Sequence, residues 1–523
     1  MGFDVQNPLR MSDLWLFLSN GSLRQCPGCL FLGRKASLSS GLLVSGKRSA
    51  QLCWKRRLSQ RIRATSLFEL NENDSKGGGG NFLKLAGVIG SATALSKVLG
   101  LLRELVLAAV FGVGPVVDAF GYASIVPGFF LTILGGINGP IHIAMVSALS
   151  KISEEDRKRE LIGRTSHAMF VISLSLGILM YTLAAFLIDA IAPGLLLKTS
   201  GGLITRSMAI LQLRIMAPCA TLACLMGIGY GSLSASGRYG IASLSPALSS
   251  ISIILAAAIH CKLCDPLNLM NGGVLLALAS TVGALAQWLL QIFAQDDRGR
   301  VVLRWENPFA DKDVKEVLLL MMPATISSGM LQLATYTDLY FASYFPNAAA
   351  ALGYANLLVM APLGIISSAV LLPLVPVFSK LSQPSNWPEL RAKIHQGITL
   401  CMALTLPMTA LAIPLAKPIV RALFQRYAFD DSAAQAVSSL VKHYALGSTF
   451  YLLRDLLVRV FYGLGDGQAP FYVSLAAIFA NALLDWVLVA KLNLGPSGLI
   501  MATSIVNLLS TAALWQILSR RIQ

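Results

Sequence analysis

The sequence predicts an all-α, polytopic membrane protein of about 12 transmembrane helices in two six-helix lobes related by an internal repeat. Three observations predict it. Of 523 residues, 55% are hydrophobic and only 13% charged, against about a quarter charged in a soluble domain. The apolar surplus must face lipid. Apolar runs of bilayer-spanning length recur from Leu83 to residue 518 with short breaks. Finally, Tyr122-Ala-Ser and Tyr354-Ala-Asn open corresponding runs, and Tyr230-Gly and Tyr462-Gly begin matching turns. Both pairs share one offset, 232 residues. Two anchors at one offset, in the same order, indicate parallel repeats with an axis along the membrane normal.

Residues 1–75 read as an organellar transit peptide. No acidic residue occurs between Asp13 and Glu69, while Arg24, Arg34, Lys35, Arg56, Arg57, Arg61 and Arg63 stand among many serines. That composition is typical of such leaders. The alternative is a cytosolic tail that binds anionic lipid. A flexible linker, 76–82, follows with Gly77 to Gly80. The first lobe is expected over 83–295, an inter-lobe loop over 296–313 and the second lobe over 314–518.

The twelve expected spans, numbered α1 to α12, cover about 83–110, 117–149, 163–190, 205–233, 240–260, 272–295, 314–344, 348–379, 392–416, 436–462, 469–490 and 496–518. Pro127, Pro218, Pro246, Pro362, Pro373 and Pro376 fall inside them. Breakers of this kind mark bending helices in transporters. Asn138-Gly139-Pro140 is expected to bend α2.

Charge asymmetry orients the chain. The breaks after α2, α6 and α8 are basic, with Lys151, Arg157 and Arg164, then Arg298, Arg304 and Lys315, then Lys380, Arg391 and Lys393. Those after α1 and α7 carry no Lys or Arg. The break after α9 dissents with Lys417, Arg421 and Arg426. The majority places both termini on the positive-inside face, the stroma if the membrane is a plastid's. Of the formal net charge of +16, part lies in the leader. No compact basic, aromatic-interleaved patch exists, so the expected partners are the bilayer and an anionic lipid, not nucleic acid. Oligomeric state is left open.

The stretch Ser96 to Lys151 carries Lys97, Arg103, Glu104 and Asp118 within or beside apolar helices. Intramembrane charges are costly and default to function. Lys97 and Arg103 lie about 120° apart on the helix, so they do not share one face. A cavity role for Lys97 competes with an interfacial anchor. Arg103 and Asp118 lean toward gating or a structural pair.

The run Ser96-Lys-Val-Leu-Gly-Leu-Leu-Arg103, then Phe111-Gly-Val-Gly, Asp118-Ala-Phe and Pro127, resembles the opening of MurJ/MviN-type lipid II flippases, in the multidrug/oligosaccharidyl-lipid/polysaccharide exporter superfamily. Asp338-Leu-Tyr-Phe-Ala-Ser343 and Leu371-Leu-Pro-Leu-Val-Pro-Val-Phe-Ser-Lys380 are similar pieces. The resemblance covers about 83–518. It implies two lobes in alternating access that flip a polyprenyl-diphosphate-linked sugar, driven by an ion gradient or potential. It makes Lys97, Arg103 and Asp118 the candidate cavity residues. The family has Arg where Lys97 stands. Its Arg pair and Glu after the α2 proline are here Leu131, Thr132 and about Gly136, and its Asp-Arg in α8 is Asn356-Leu357.

Asn481-x-x-x-Asp485 puts two polar groups on one face of α11. With Asp338 in α7 and Thr503 in α12, oxygen ligands from three helices suit a hard cation. Some members of the family build a sodium site from these types, so Na+ or H+ is the expected coupling ion, with no other cofactor. The alternative is a set of separate polar caps. Arg459 is spaced to pair with Asp455 on α10. Cys261-x-x-Cys264 has no second pair to complete a zinc set. No nucleophile, acid/base pair or phosphate loop appears, so a transporter rather than an enzyme is expected. The competing functions are an exporter of another lipid or small organic ion, and a non-transporting membrane scaffold.

Overall fold

The computed structural model describes residues 80–136, 139–197, 200–263, 269–295, 311–371 and 374–522. The leader, the linker up to Gly79 and the loop 296–310 lie outside them, as do Asn138 and Cys264. Every regular element among the described residues is helical, and a helix covers each of the twelve expected positions, nine of the helices being long and apolar enough to cross a membrane. α1 is Gly80–Phe111. α2 is Pro115–Ile133 with Pro140–Ser150. α3 is Glu155–Thr182, continued by Ala184–Ile191. α4 is Ser200–Met216 with Pro218–Ala235, and α5 is Tyr239–Leu244 with Ala247–Leu263. α6 is Leu269–Ala294 and α7 is Lys312–Ala342. α8 runs Ala348–Ile366, then a π-helical Ser367–Leu371, then Leu374–Lys380. α9 is Trp387–Phe424 and α10 is Asp431–Gly463. α11 is Gln468–Asp485 with a π-helical end, Trp486–Lys491, and α12 is Pro496–Arg521.

Proline chemistry sets the breaks. Pro115, Pro140, Pro218 and Pro496 all sit in the first turn of a helical segment, where the missing N–H costs nothing. α2 is therefore two helices rather than one bent one. Gly139 is extended before Pro140, and a Cβ at Gly135 would stand 2.8 Å from the Ala223 carbonyl oxygen of α4. The chain can cross α4 there only without a side chain.

Each lobe has its own core. Leu107, Val116, Met208, Leu213, Met226 and Leu276 pack in the first; Leu352, Leu363, Val420, Phe424, Val437 and Leu499 pack in the second. The basal half of α7 is an exception. Val314, Val317 and Met321 join Ile141, Met145 and Leu161 of the first lobe, while Ala342 at its other end packs in the second. α7 thus straddles the two.

The lobes meet at both membrane faces. At the charge-poor face, Gly112 has φ +60°, and a Cβ there would lie 2.3 Å from the Ala428 carbonyl oxygen. Ala428 N donates to Ala109 O at 3.1 Å. This contact places the α9–α10 turn on the same face as the α1–α2 turn despite its basic residues. Arg421 there is paired with Asp431 (Nε–Oδ1 2.9 Å). At the positive face, Lys151 meets Glu316 at 2.9 Å, Arg157 meets Asp313 at 3.3 Å, and Arg164 meets Asp311. All three join the first lobe to the start of α7.

Candidate transport site

Lys97 is exposed on α1. Three turns toward the charge-poor face, Ala108 of the same helix packs into the second lobe's core. Eleven residues bring a helix back to within about 20° of the same direction. Lys97 therefore shares the stripe of α1 that, at Ala108, faces the second lobe, and it is exposed there. Leu131 packs against the first lobe's core, so no cation stands at that position of α2.

Arg103 is held by its neighbour on α1. Its Nε donates to Oε1 of the adjacent Glu104 at 2.9 Å, and the pair is about three-quarters covered. Asp118 is buried, and Oδ1 accepts from the backbone N–H of Ala350 at 2.8 Å. Ala350 lies in the first turn of α8, where unpaired N–H groups and the positive end of the helix dipole favour a carboxylate. Asp118 is thus a cap on the opposite lobe. The sequence left it between gating and a structural pair with neighbouring charges; its partner is backbone.

The second site lies wholly within the second lobe. Asn481 Nδ2 donates to Asp338 Oδ1 at 2.9 Å and to Asp485 Oδ2 at 2.9 Å. Thr503 Oγ1 donates to Asn481 Oδ1 at 3.4 Å and to Leu499 O at 3.1 Å. Asn481 and Asp485 are fully buried. The Asp338 and Asp485 carboxyls are thus joined through the Asn481 amide. The four residues singled out in the sequence therefore form one cluster, not separate caps. Asp485 Oδ1 has no hydrogen-bond partner and is sealed from solvent. Asp485 is also the last residue before the π-helical turn, a feature common at functional sites. A buried carboxylate oxygen with nothing to accept from is costly, and it fits a hard cation that takes oxygen ligands.

Sequence reasoning missed several polar contacts. His142 Nε2 lies 2.9 Å from Ser234 Oγ. Tyr230 accepts from Gln287 Nε2 at 2.6 Å and from Ser245 Oγ at 3.1 Å. His142–Ser234 and Tyr230–Gln287 link helices that are not consecutive, and none of these contacts carries a spacing signature. The expected Arg459–Asp455 pair is present, at 3.2 Å, with Ser367 of α8 added to it.

Two helical lobes touching at both faces, with a carboxylate cluster inside one of them, have the architecture of a two-lobed membrane transporter. The fold agrees. A solved structure titled "Lipid II flippase MurJ, inward closed conformation" superposes with TM-score 0.67 at 22% identity, over 82% of this chain and 87% of that one. An inward-facing MATE-family multidrug transporter superposes with TM-score 0.65 at 15% identity, over 84% and 98%. The family model "Lipid II flippase MurJ" matches residues 107–523. A probable lipid II flippase MurJ of Synechocystis sp. is 47% identical over 443 residues, 84% of this chain and 81% of that protein. One of Rhizobium meliloti is 26% identical over 416 residues, 79% and 76%. The chain belongs to the MurJ lipid II flippase family, whose members are transporters rather than enzymes.

Proposed function

We propose that this chain flips a polyprenyl-diphosphate-linked precursor of the lipid II class across a plastid membrane, the inner envelope, by alternating access. The observation that carries the reading is the 47% identity to a probable lipid II flippase over most of both chains. The acid-poor, Arg- and Ser-rich leader supports the plastid address. Lys97 and Arg103 line the route, Lys97 offering a point charge to the anionic head group, and Asp118 holds the lobes together on one side.

Coupling to a cation belongs to the same proposal. Asp338, Asp485, Asn481 and Thr503 would hold Na+, or the carboxylate pair a proton. The bound cation would supply the positive charge that lets the two carboxylates share a buried site. Exchange of the lobes then depends on whether that charge is present.

Complementation of a bacterium depleted of its own lipid II flippase tests the substrate. Growth rescue by the mature chain is expected. Failure despite correct insertion would favour a different lipid, for which the uncharged Leu131, Thr132, Asn356 and Leu357 leave room. A fluorescent fusion of residues 1–80 is expected in plastids, and a cytosolic signal would remove that address.

A further inference from the structure

Among the described residues, Arg454 of the second lobe has a buried Nε with no hydrogen-bond acceptor and no acid hydrogen-bonded to it. Asp455 spends both oxygens elsewhere: Oδ1 on Arg459 Nε at 3.2 Å, Oδ2 on Ser367 Oγ at 2.6 Å. Arg459 donates again to Ser367 Oγ at 2.9 Å. Arg454, next to Asp455 on α10, has a single partner, Ser474 Oγ of α11 at 3.1 Å. Its Nε is buried with no acceptor. The remaining acids of the lobe's helices are accounted for. α8 and α12 contain none. Asp313 and Glu316 of α7 are paired with the first lobe. Asp338 and Asp485 belong to the cluster with Asn481. Glu389 stands in the first turn of α9, and Asp431 pairs with Arg421.

The helix register orients this arginine. Ser474 is two turns before Asn481 on the same stripe of α11, so Arg454 faces the polar side of that helix, toward the positive face from the carboxylates. Ser367 begins the π-helical turn of α8, which widens the backbone where Arg459 arrives.

We propose that Arg454, with Ser474, forms an anion site that takes a phosphate group. A guanidinium whose buried Nε has no acceptor is costly to keep, and a phosphate satisfies several N–H donors at once. Two sources share that chemistry: the diphosphate of a lipid-linked substrate, which rests on the function proposed above, and the headgroup of a resident phospholipid.

The test uses the whole protein in nanodiscs of phosphate-free galactolipid. A polyprenyl diphosphate and phosphatidylglycerol are titrated separately, and binding is read by native mass spectrometry. Arg454→Gln is expected to weaken binding by about tenfold or more, with Arg454→Lys intermediate and Ser474→Ala a few-fold weaker. Loss confined to the diphosphate assigns the site to substrate; loss for phosphatidylglycerol assigns it to a bilayer lipid. Wild-type affinity for both probes in a folded Arg454→Gln protein overturns the site, as does a wild type that binds neither. Where Arg454→Gln does not fold, unchanged affinity in both Arg454→Lys and Ser474→Ala overturns it equally. Arg454-dependent binding in a protein that fails complementation would sink the flippase reading alone. Complementation by Arg454-independent protein would sink this site alone.

Discussion

Asp118 Oδ1 accepts from the backbone N–H of Ala350 at 2.8 Å, and the two residues are 232 positions apart. That separation is the repeat offset itself. Asp118 therefore bonds to its own counterpart in the other lobe, and the contact must lie beside the axis that relates the lobes. Symmetry is broken there, because Ala350 has no carboxylate to return the bond. One side chain caps one helix across the axis. The neighbouring contacts, Ser343 Oγ accepting from Gly194 N at 2.9 Å and Tyr354 hydroxyl donating to Gly112 O at 3.3 Å, also cross between lobes.

Removing that cap should loosen the charge-poor face. Asp118→Ala leaves the N–H groups at the start of α8 without an acceptor, a loss of about 1–3 kcal/mol. A cysteine pair at positions 109 and 428 reports on it, since Ala109 O and Ala428 N are bonded. Disulfide formation in the Asp118→Ala background should fall several-fold, while Asp118→Asn, which keeps one acceptor oxygen, should fall less. Equal cross-linking in all three proteins would mean the cap does not hold the face shut.

Gly112 should tolerate no side chain while this face is closed. Its φ is positive, and a Cβ would stand 2.3 Å from Ala428 O. Backbone strain alone costs an alanine about 1 kcal/mol there, and the collision adds to it. Gly112→Ala should remain inserted and folded but hold the face open, with transport reduced at least tenfold and the 109–428 cross-link lost. Wild-type turnover would show that the close approach is dispensable.

The positive face should respond to charge, salt and acid. Lys151–Glu316 and Arg157–Asp313 are exposed pairs, each contributing about 0.5 kcal/mol or less. Reversing one partner, as in Glu316→Lys, should free the start of α7 from the first lobe, and adding Lys151→Glu should restore it. High salt should mimic the single variant. Asp311 pairs with Arg164 and caps α7. Partial burial pushes its carboxyl up, but the hydrogen bonds from Arg164 and from the Asp313 N–H outweigh this and hold it below the ordinary carboxylate range. A depressed folded value means the contribution is complete above the unfolded value of about 3.9 and disappears as pH falls through the folded one. Protease accessibility of the inter-lobe loop should therefore stay constant from pH 8 to about 5 and rise only below about 4. A rise centred near neutrality would point to another group.

What the sequence made legible follows from where each signal resides. The helices were readable because a bilayer demands long apolar runs, and Asn481 with Asp485 because i, i+4 spacing is visible in one helix. The division of α2 was legible only as a bend, from Asn138-Gly139-Pro140, since the collision with Ala223 that requires a full break is tertiary. Nor was the partner of Asp118, because Ala350 contributes only its backbone. The charges Lys151, Arg157, Asp313 and Glu316 stood in plain view, yet their pairing depends on α7 leaning against the first lobe. Lys97 was placed on the inter-lobe face only when the packing of Ala108 gave α1 its rotation.

The carboxylate cluster makes the sharpest prediction about energy coupling. Asp338 and Asp485 share Asn481 Nδ2 as donor at 2.9 Å each, and no cationic side chain is among their hydrogen-bonding partners. Two buried like charges repel, so the cluster should destabilise the second lobe until a cation or proton arrives. Sodium at about a hundred times its dissociation constant would then add about 2.7 kcal/mol to stability. Asp485→Asn removes one charge, keeps the shape and retains an acceptor. It should raise Tm in sodium-free buffer, abolish the further rise on adding sodium, and make flipping in vesicles indifferent to the ion gradient. If the pair holds a proton instead, wild-type Tm should be unmoved by sodium and rise as the medium is acidified, and Asp485→Asn should flatten that pH profile. A variant that keeps wild-type dependence on both sodium and pH would remove the cluster from coupling and leave it a structural feature of α11.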